Sequence, residues 1–205
     1  MTRIIAICAA VVALGFMALT LYLGTGGDSD DKYAQCKNSA VAGDSDLGGP
    51  FELVNSAGQT VTDTDVITEP SLIYFGYTFC PDVCPLDNSR NALATELLEA
   101  EGHIVQPMFI SIDPARDTPE VVGEFASFFH ERMIGLTGSD EQVRAASLAY
   151  RTFFARHDAE DEFYLVDHST FSYFVLPGHG TVEVFRHEMT GEQVAQTAQC
   201  FLERL

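Results

Sequence analysis

Cys80 and Cys84 lie four residues apart in the segment Tyr77-Thr78-Phe79-Cys80-Pro81-Asp82-Val83-Cys84-Pro85. A short apolar run, residues 71–77, precedes them and a helical pattern follows, so the pair falls where a buried strand meets a helix. The N–H groups at a helix start favour negative charge and make nearby thiols easier to ionise. Thiolates attack disulfides and ligate metals, and soft sulfur selects Cu(I) over hard cations. On a regular helix, residues four apart have Cβ atoms about 5–6 Å apart, whereas a disulfide needs about 3.8 Å. Two thiolates around one metal ion tolerate the wider gap better. Pro85 disfavours helical backbone at Cys84, so the motif can instead be an irregular loop with Pro85 in the first helical turn. Reversible oxidation, and a pair merely packed or statically bridged, both stay open.

Two thiolates leave a copper ion short of ligands, and imidazole is a suitable third. Of the six histidines, His103, His130, His157, His179 and His187 flank helices or turns and are expected in solvent. His168 differs, because Asp167-His168-Ser169-Thr170 lies between two apolar strands. Asp167 or a backbone group could orient its ring. On residue type alone, a polar side chain satisfied within a hairpin explains His168 as well.

The elements that must carry these residues are legible in outline. Residues 51–55 and 59–62 flank Ala57-Gly58 and read as a hairpin. Residues 71–77 and 107–112 read as buried strands, and residues 91–98 as helical, with Leu93 and Leu97 four apart. Thr118 suits an N-cap, Pro119 the first turn and Glu120 the helix dipole. Val121, Val122, Phe125, Phe128 and Phe129 then share a helical face. Residues 133–136 form a third short strand. Ser139 with Gln142 makes a capping box for a helix through Phe154, with Val143, Ala146, Tyr150 and Phe153 inward. Residues 163–166 and 171–176 read as strands around His168, residues 181–185 as another, and Thr190 with Gln193 opens the last helix. Strands alternating with helices imply an α/β domain with a central mixed sheet. A strand ending in a cysteine motif at a helix start points to its thioredoxin-like version.

The chain has 205 residues, enough for one domain with attachments. Its 30 acidic against 11 basic residues give a net charge of -19. That argues against nucleic acid and anionic lipid headgroups as partners, and favours cations and basic protein surfaces. Residues 4–23 form an uncharged apolar run long enough to cross a bilayer as a helix. Arg3 precedes it and Asp28, Asp30 and Asp31 follow, which places the N-terminus in the cytoplasm. An uncleaved anchor is favoured over a signal peptide, because no A-x-A-like cleavage site follows the run. The expected organisation is an anchor at 1–24, a Gly- and Asp-rich tether at 25–49 and a thioredoxin-like domain at 50–205. The expected location is a bacterial inner membrane, with the domain in the periplasm. Of the five cysteines, Cys8 lies within the apolar run. In an oxidising compartment Cys36 and Cys200 are expected to form a disulfide; two free thiols are the alternative.

The chain resembles the Sco/SenC family of copper chaperones. The matching pieces are Tyr-Phe-Gly-Tyr-Thr-Phe-Cys-Pro-Asp-Val-Cys-Pro (74–85), Phe-Ile-Ser-Ile-Asp-Pro-Ala-Arg-Asp-Thr-Pro-Glu (109–120) and Asp-His-Ser-Thr (167–170). The resemblance implies a periplasm-facing thioredoxin-like domain on a single anchor. It implies copper, as Cu(I) or Cu(II), held by Cys80, Cys84 and His168, and a role in building the binuclear copper centre of cytochrome c oxidase. The implied partner is the copper-accepting oxidase subunit, with other copper carriers possible. Arg116 and Asp117 resemble the family's loop near the site, although on residue types they form a solvated turn. Asp82 reads as a backbone cap or an outer ligand.

The competing reading is a metal-independent thiol–disulfide oxidoreductase or redox sensor, in which Cys80 and Cys84 exchange electrons and Cys80 attacks. A peroxiredoxin-type peroxidase is discounted, because no P-x-x-x-[ST]-x-x-C pattern precedes Cys80. Copper needs His168, whereas thiol exchange has no evident use for it.

Overall fold

The computed structural model describes residues 13–20, 32–39, 47–157 and 164–205. It divides into two compact units, Met1–Ala34 and Gln35–Leu205. In the first, residues 13–20 are helical (α1) and exposed. Among the described residues no helix is long and apolar enough to cross a membrane. Most of the apolar run 4–23, Cys8 included, lies outside the described residues.

The second unit runs β1 (Glu52–Asn55), β2 (Thr60–Thr62), α2 (Asp63–Val66), β3 (Ser71–Gly76), α3 (Val83–Ala100), β4 (Gln106–Ser111) and α4 (Pro119–Phe129). It continues through β5 (Ile134–Thr137), α5 (Asp140–Ala149), β6 (Phe154–Arg156), β7 (Val166–His168), β8 (Ser172–Leu176), β9 (Gly180–Phe185) and α6 (Gly191–Leu202). Seven strands make one mixed sheet in the order β2-β1-β5-β4-β3-β8-β9. Strands β3, β4 and β5 are parallel, and β8 runs antiparallel to β3. Parallel neighbours require crossovers, which α3 and α4 supply. Every residue of β3 is buried, which explains why 71–77 reads as an unbroken apolar run. The strands β6 and β7 pair separately from this sheet, with Phe154 opposite His168.

Local chemistry sets the ends of the elements. Thr118 accepts from the Val121 N–H, and Pro119 stands in the first turn of α4. Ser139 with Gln142, and Thr190 with Gln193, form the expected capping boxes of α5 and α6. Phe75, Phe109, Leu53, Leu136 and Val143 are buried in one cluster over the sheet. Each such side chain contributes roughly 1.5–3 kcal/mol by leaving water.

Three helical expectations are corrected. Helix α3 starts at Val83, with Pro85 in its first turn as expected, and the pattern read over 91–98 covers only its second half. Leu93 and Leu97 are 38% and 36% exposed, and the residues α3 buries include the polar Asp87, Asn88, Arg90, Asn91 and Thr95 beside Ala92, Ala94 and Leu98. That buried face is held by polar contacts within α3 and to β8 and the loop after β9, although one oxygen of Asp87 and the side-chain oxygen of Asn88 are buried without a hydrogen-bond partner among the described residues. Asp87 pairs with Arg90 and His187, each at 2.9 Å, and Asn91 donates to the Ser172 hydroxyl at 2.8 Å. Helix α5 ends at Ala149 rather than Phe154, because Arg151 adopts φ +49°. This left-handed residue turns the chain, so Phe153 is 62% exposed and Phe154 opens β6. Phe128 likewise faces solvent at 83%, and Ala126 takes the buried place on α4.

Cys36 and Cys200 form a disulfide across 164 residues, as expected. Two residues on, the Asn38 N–H donates to the buried carboxylate of Glu183 at 2.6 Å. Leu47 is buried, and the Gly48 N–H donates to the Ala149 carbonyl. These described parts of the segment 25–49 therefore lie against the body.

Candidate metal centre

Cys80 sits in the turn after β3, where its N–H donates to the Tyr77 carbonyl at 3.2 Å. Cys84 lies in the first turn of α3 despite the proline that follows it. Gly76, at the end of β3, makes room for its sulfur: a Cβ there would stand 2.8 Å from Cys84 Sγ. His168 ends β7. The metal-binding atoms of Cys80, Cys84 and His168 all lie within 4.8 Å of one another. Cys84 Sγ is 3.4 Å from His168 Nε2. Cys84 has no exposed surface, Cys80 is 7% exposed and His168 is half-buried.

The environment of His168 fixes which nitrogen faces the sulfurs. Its Nδ1 lies 2.9 Å from the Ser169 carbonyl, which can only accept, so Nδ1 carries the proton. The Nε2 lone pair is thereby left toward Cys84, as a metal ligand requires. Tyr74 and Tyr77 box the ring edge-on at 6.2 and 5.8 Å between centroids. The Tyr74 hydroxyl donates to Cys84 Sγ at 3.8 Å. The Tyr77 hydroxyl accepts the Val166 N–H at 3.4 Å, holding β7 near the site.

The two thiols are unequal. The Cys84 thiol beside it, helped by backbone N–H groups, pulls Cys80 down to about 3 against the opposing effect of burial. Burial, and then the Cys80 sulfur, push Cys84 well above the ordinary thiol range. The pair is therefore a Cys80 thiolate hydrogen-bonded by a Cys84 thiol. Burial likewise raises Tyr74, reinforced by its contact with the Cys84 sulfur and by the charge of Asp87. Both cysteines are free in this structure.

The loop after β4 anchors the surroundings. Asp117 is fully buried and accepts from the Thr78 N–H at 3.1 Å, the Thr78 hydroxyl at 2.5 Å and the Ser111 hydroxyl at 2.5 Å. Burial raises its carboxyl, and these hydrogen bonds oppose the rise. The reading of Arg116 and Asp117 as a solvated turn is thus corrected. The Arg116 guanidinium stacks on Tyr164 at 3.6 Å and lies 4.9 Å from the Phe79 ring.

Asp82 occupies the N-cap position of α3, but its side chain makes no capping hydrogen bond and stands outside the ligand group. Two of the histidines expected in solvent are not free of the body. His130 is buried, with Nδ1 accepting the Arg132 N–H and Nε2 3.6 Å from Glu99. His187 is partly covered and pairs with Asp87. His157, half-exposed, pairs with Asp167 at 2.8 Å, so Asp167 does not orient His168. The residues missed by sequence reasoning are Tyr74, Tyr77, Thr78, Asp113 and Tyr164. Only the apolar context of Tyr74 and Tyr77 hinted at burial beside the cysteines.

A sheet strand that leads into one cysteine, a helix that delivers a second and a separate ribbon that delivers a histidine define a thioredoxin-like domain with a Cys2His group that could hold a metal ion. The sequence model of the SCO1/SenC family matches residues 39–203, and the chain belongs to that family. Protein SenC of Rhodobacter capsulatus is 45% identical over 200 residues, which are 98% of this chain and 89% of that protein. The crystal structure of Arabidopsis thaliana ScoI with copper bound superposes with a TM-score of 0.72 at 34% identity, covering 77% of this chain and 99% of that one. Yeast Sco1 with copper bound gives a TM-score of 0.71 at 34% identity, covering 77% and 88%. The likeness confirms the thioredoxin-like α/β fold with a central mixed sheet.

Proposed function

We propose that this protein is a copper chaperone that holds copper through Cys80, Cys84 and His168 and delivers it to the binuclear copper centre of cytochrome c oxidase. The observation that carries the proposal is the convergence of two sulfurs and one imidazole nitrogen within 4.8 Å. Two soft sulfurs suit Cu(I), and the added nitrogen suits Cu(II). The two copper-bound relatives support copper over other soft ions. Copper is cargo here, so a site that gives up its ligands one at a time serves release.

The Cys80 thiolate also equips the chain to reduce a disulfide on the acceptor. Attack on that bond forms a mixed disulfide and releases one acceptor thiolate. Cys84 then attacks Cys80, freeing the second acceptor thiolate and leaving a Cys80–Cys84 disulfide. Two electrons pass to the acceptor in each such cycle. Metal-independent exchange alone is not favoured, because it leaves the His168 geometry without a use.

The proposed setting is a bacterial inner membrane. Residues 1–24 would form a single-pass anchor and the residues from 25 up to Cys36 a tether, with the thioredoxin-like domain, to which residues 36–39 and 47–49 are attached, in the periplasm. The apolar run of 4–23 and the charges flanking it support this.

Titration of the reduced protein with Cu(I) and Cu(II), alongside Cys80→Ser, Cys84→Ser and His168→Ala, tests the site. Each cysteine change is expected to abolish tight binding of both ions, and His168→Ala that of Cu(II). Unchanged Cu(II) absorption in His168→Ala would reject His168 as a ligand.

A further inference from the structure

The third ligand rides on a ribbon that is not part of the main sheet. Strands β6 and β7 pair only with each other, through Phe154–His168, Ala155–Asp167 and Arg156–Val166. What fixes this ribbon beside the cysteines is therefore a separate question from what folds the domain. Within it, His168 contacts Cys84, and Val166 is held by the Tyr77 hydroxyl. Among the described residues, the largest set of polar contacts to the ribbon lies at its other end, on one side chain.

That side chain is Asp113, fully buried in the loop after β4. One of its oxygens accepts from Arg156 Nη2 at 3.1 Å and from the Tyr164 hydroxyl at 2.6 Å. The other accepts from Arg116 Nε at 2.5 Å. Arg116 Nη1 in turn donates to the Tyr164 carbonyl at 3.0 Å, and its guanidinium stacks on the Tyr164 ring. Arg156 belongs to β6, and Tyr164 lies just ahead of β7. Both strands of the ribbon are thus tied to a single carboxylate. The same Arg116 faces Phe79, the neighbour of Cys80, while Asp117 holds Thr78. The loop 113–117 consequently sets the spacing between the Cys80 turn and the His168 ribbon, although none of its side chains belongs to the ligand group.

We propose that Asp113 is a positioning residue which, through Arg156, Tyr164 and Arg116, holds the His168 ribbon closed over Cys80 and Cys84 and so sets the preference of the site between Cu(II) and Cu(I). The inference rests on the copper reading above. Its physical basis is that buried charged hydrogen bonds have discrete made and broken arrangements, and that breaking one side is costly. With the latch made, imidazole is available and Cu(II) gains its nitrogen ligand. With it broken, the two sulfurs remain where strand β3 and helix α3 put them and still serve Cu(I). Asp113 touches no metal-binding atom; its effect passes entirely through the placement of His168.

The test compares the wild type, Asp113→Asn, Tyr164→Phe and His168→Ala in the reduced, metal-free and copper-loaded full chain. Asp113→Asn keeps the size of the side chain and removes its charge. Tyr164→Phe keeps the ring under Arg116 and removes one hydrogen bond, so it serves if Asp113→Asn fails to fold. Competition with a chromophoric chelator reads the two affinities. The expected result is a loss of Cu(II) affinity of tenfold or more in Asp113→Asn and a smaller loss in Tyr164→Phe, with Cu(I) affinity within about threefold of wild type. Adding Asp113→Asn to His168→Ala should then lower Cu(II) affinity no further. Without metal, amide exchange at Val166 and Ser169 should quicken at least tenfold in Asp113→Asn while β3 and β4 amides keep their protection. Equal losses for both ions, or unchanged Cu(II) affinity with unchanged exchange, would overturn the latch. If His168→Ala itself left Cu(II) binding intact, the ligand assignment would fail instead, while the amide exchange would still report whether Asp113 holds the ribbon.

Discussion

The Asp117 carboxylate accepts the Thr78 hydroxyl at 2.5 Å across 39 residues of sequence, and with it the Thr78 N–H. It thereby fixes the turn that presents Cys80. Asp117→Ala should destabilise the protein by about 2–4 kcal/mol, since it orphans buried donors on Thr78 and Ser111. Burial raises the Asp117 carboxyl. Its contribution is therefore fully present below the unfolded value of about 3.9 and is lost as pH rises through the higher folded value. The stability gap between wild type and Asp117→Ala, read by urea unfolding, should widen on going from neutral pH toward pH 4. A constant gap would remove the assigned cause.

Alkylation of the reduced, metal-free protein should single out Cys80. Its thiol is drawn down to about 3 by Cys84, so it stays ionised at pH 5, where an ordinary thiol with pKa near 8.5 is roughly 0.03% thiolate. Cys84, raised by burial, should react only after unfolding. Mass spectrometry of the products after brief labelling at pH 5 reads the difference; equal labelling of both would contradict it. Because the Cys80 value is depressed, its stabilising contribution holds above the unfolded thiol value. It is lost as pH falls through the folded one.

Gly76→Ala should damage the site more than the fold. The added methyl would stand 2.8 Å from both Cys84 Sγ and Tyr74 Cε1 and 3.2 Å from Phe109 Cε2. Overpacking of this kind costs about 1–3 kcal/mol, and the sulfur is the smallest group that can yield. Copper affinity is expected to fall tenfold or more while the far-ultraviolet circular dichroism is retained. Wild-type affinity in Gly76→Ala would show that the sulfur has room to spare.

Cys36→Ser with Cys200→Ser should lower stability by roughly 2–5 kcal/mol, as expected for opening a long loop. For a chain of this size that is a fall in Tm of about 4–20 °C. Calorimetry of the oxidised protein against the double variant checks it. Copper affinity should be unchanged, because neither cysteine belongs to the ligand group.

The main strands of the sheet and the starts of α4, α5 and α6 were legible because each rests on local chemistry. Ser139 with Gln142 announces a helix within four residues, and 71–77 is apolar because both faces of β3 are covered. The end of α5 was not legible. Arg151 takes a left-handed conformation without the glycine or asparagine that normally marks one, so the helix pattern ran on into Phe153 and Phe154. The polar character of the buried α3 face was not legible, because Asp87, Arg90 and Asn91 are buried through polar contacts with one another, His187 and Ser172 rather than by being apolar. His168 could be picked out only by its apolar flanks and the resemblance. Its distance to Cys84 depends on a ribbon tied down by Asp113, Arg156 and Tyr164, which are far apart in sequence and unremarkable singly.

Cys84 has no surface of its own, while Cys80 and His168 each reach the outside. In the proposed copper site, an incoming donor would therefore meet an ion from the side of Cys80 and His168, and the covered Cys84 would be the contact given up last. Exchange at such a site would have a front and a back, its order following from which sulfur is covered.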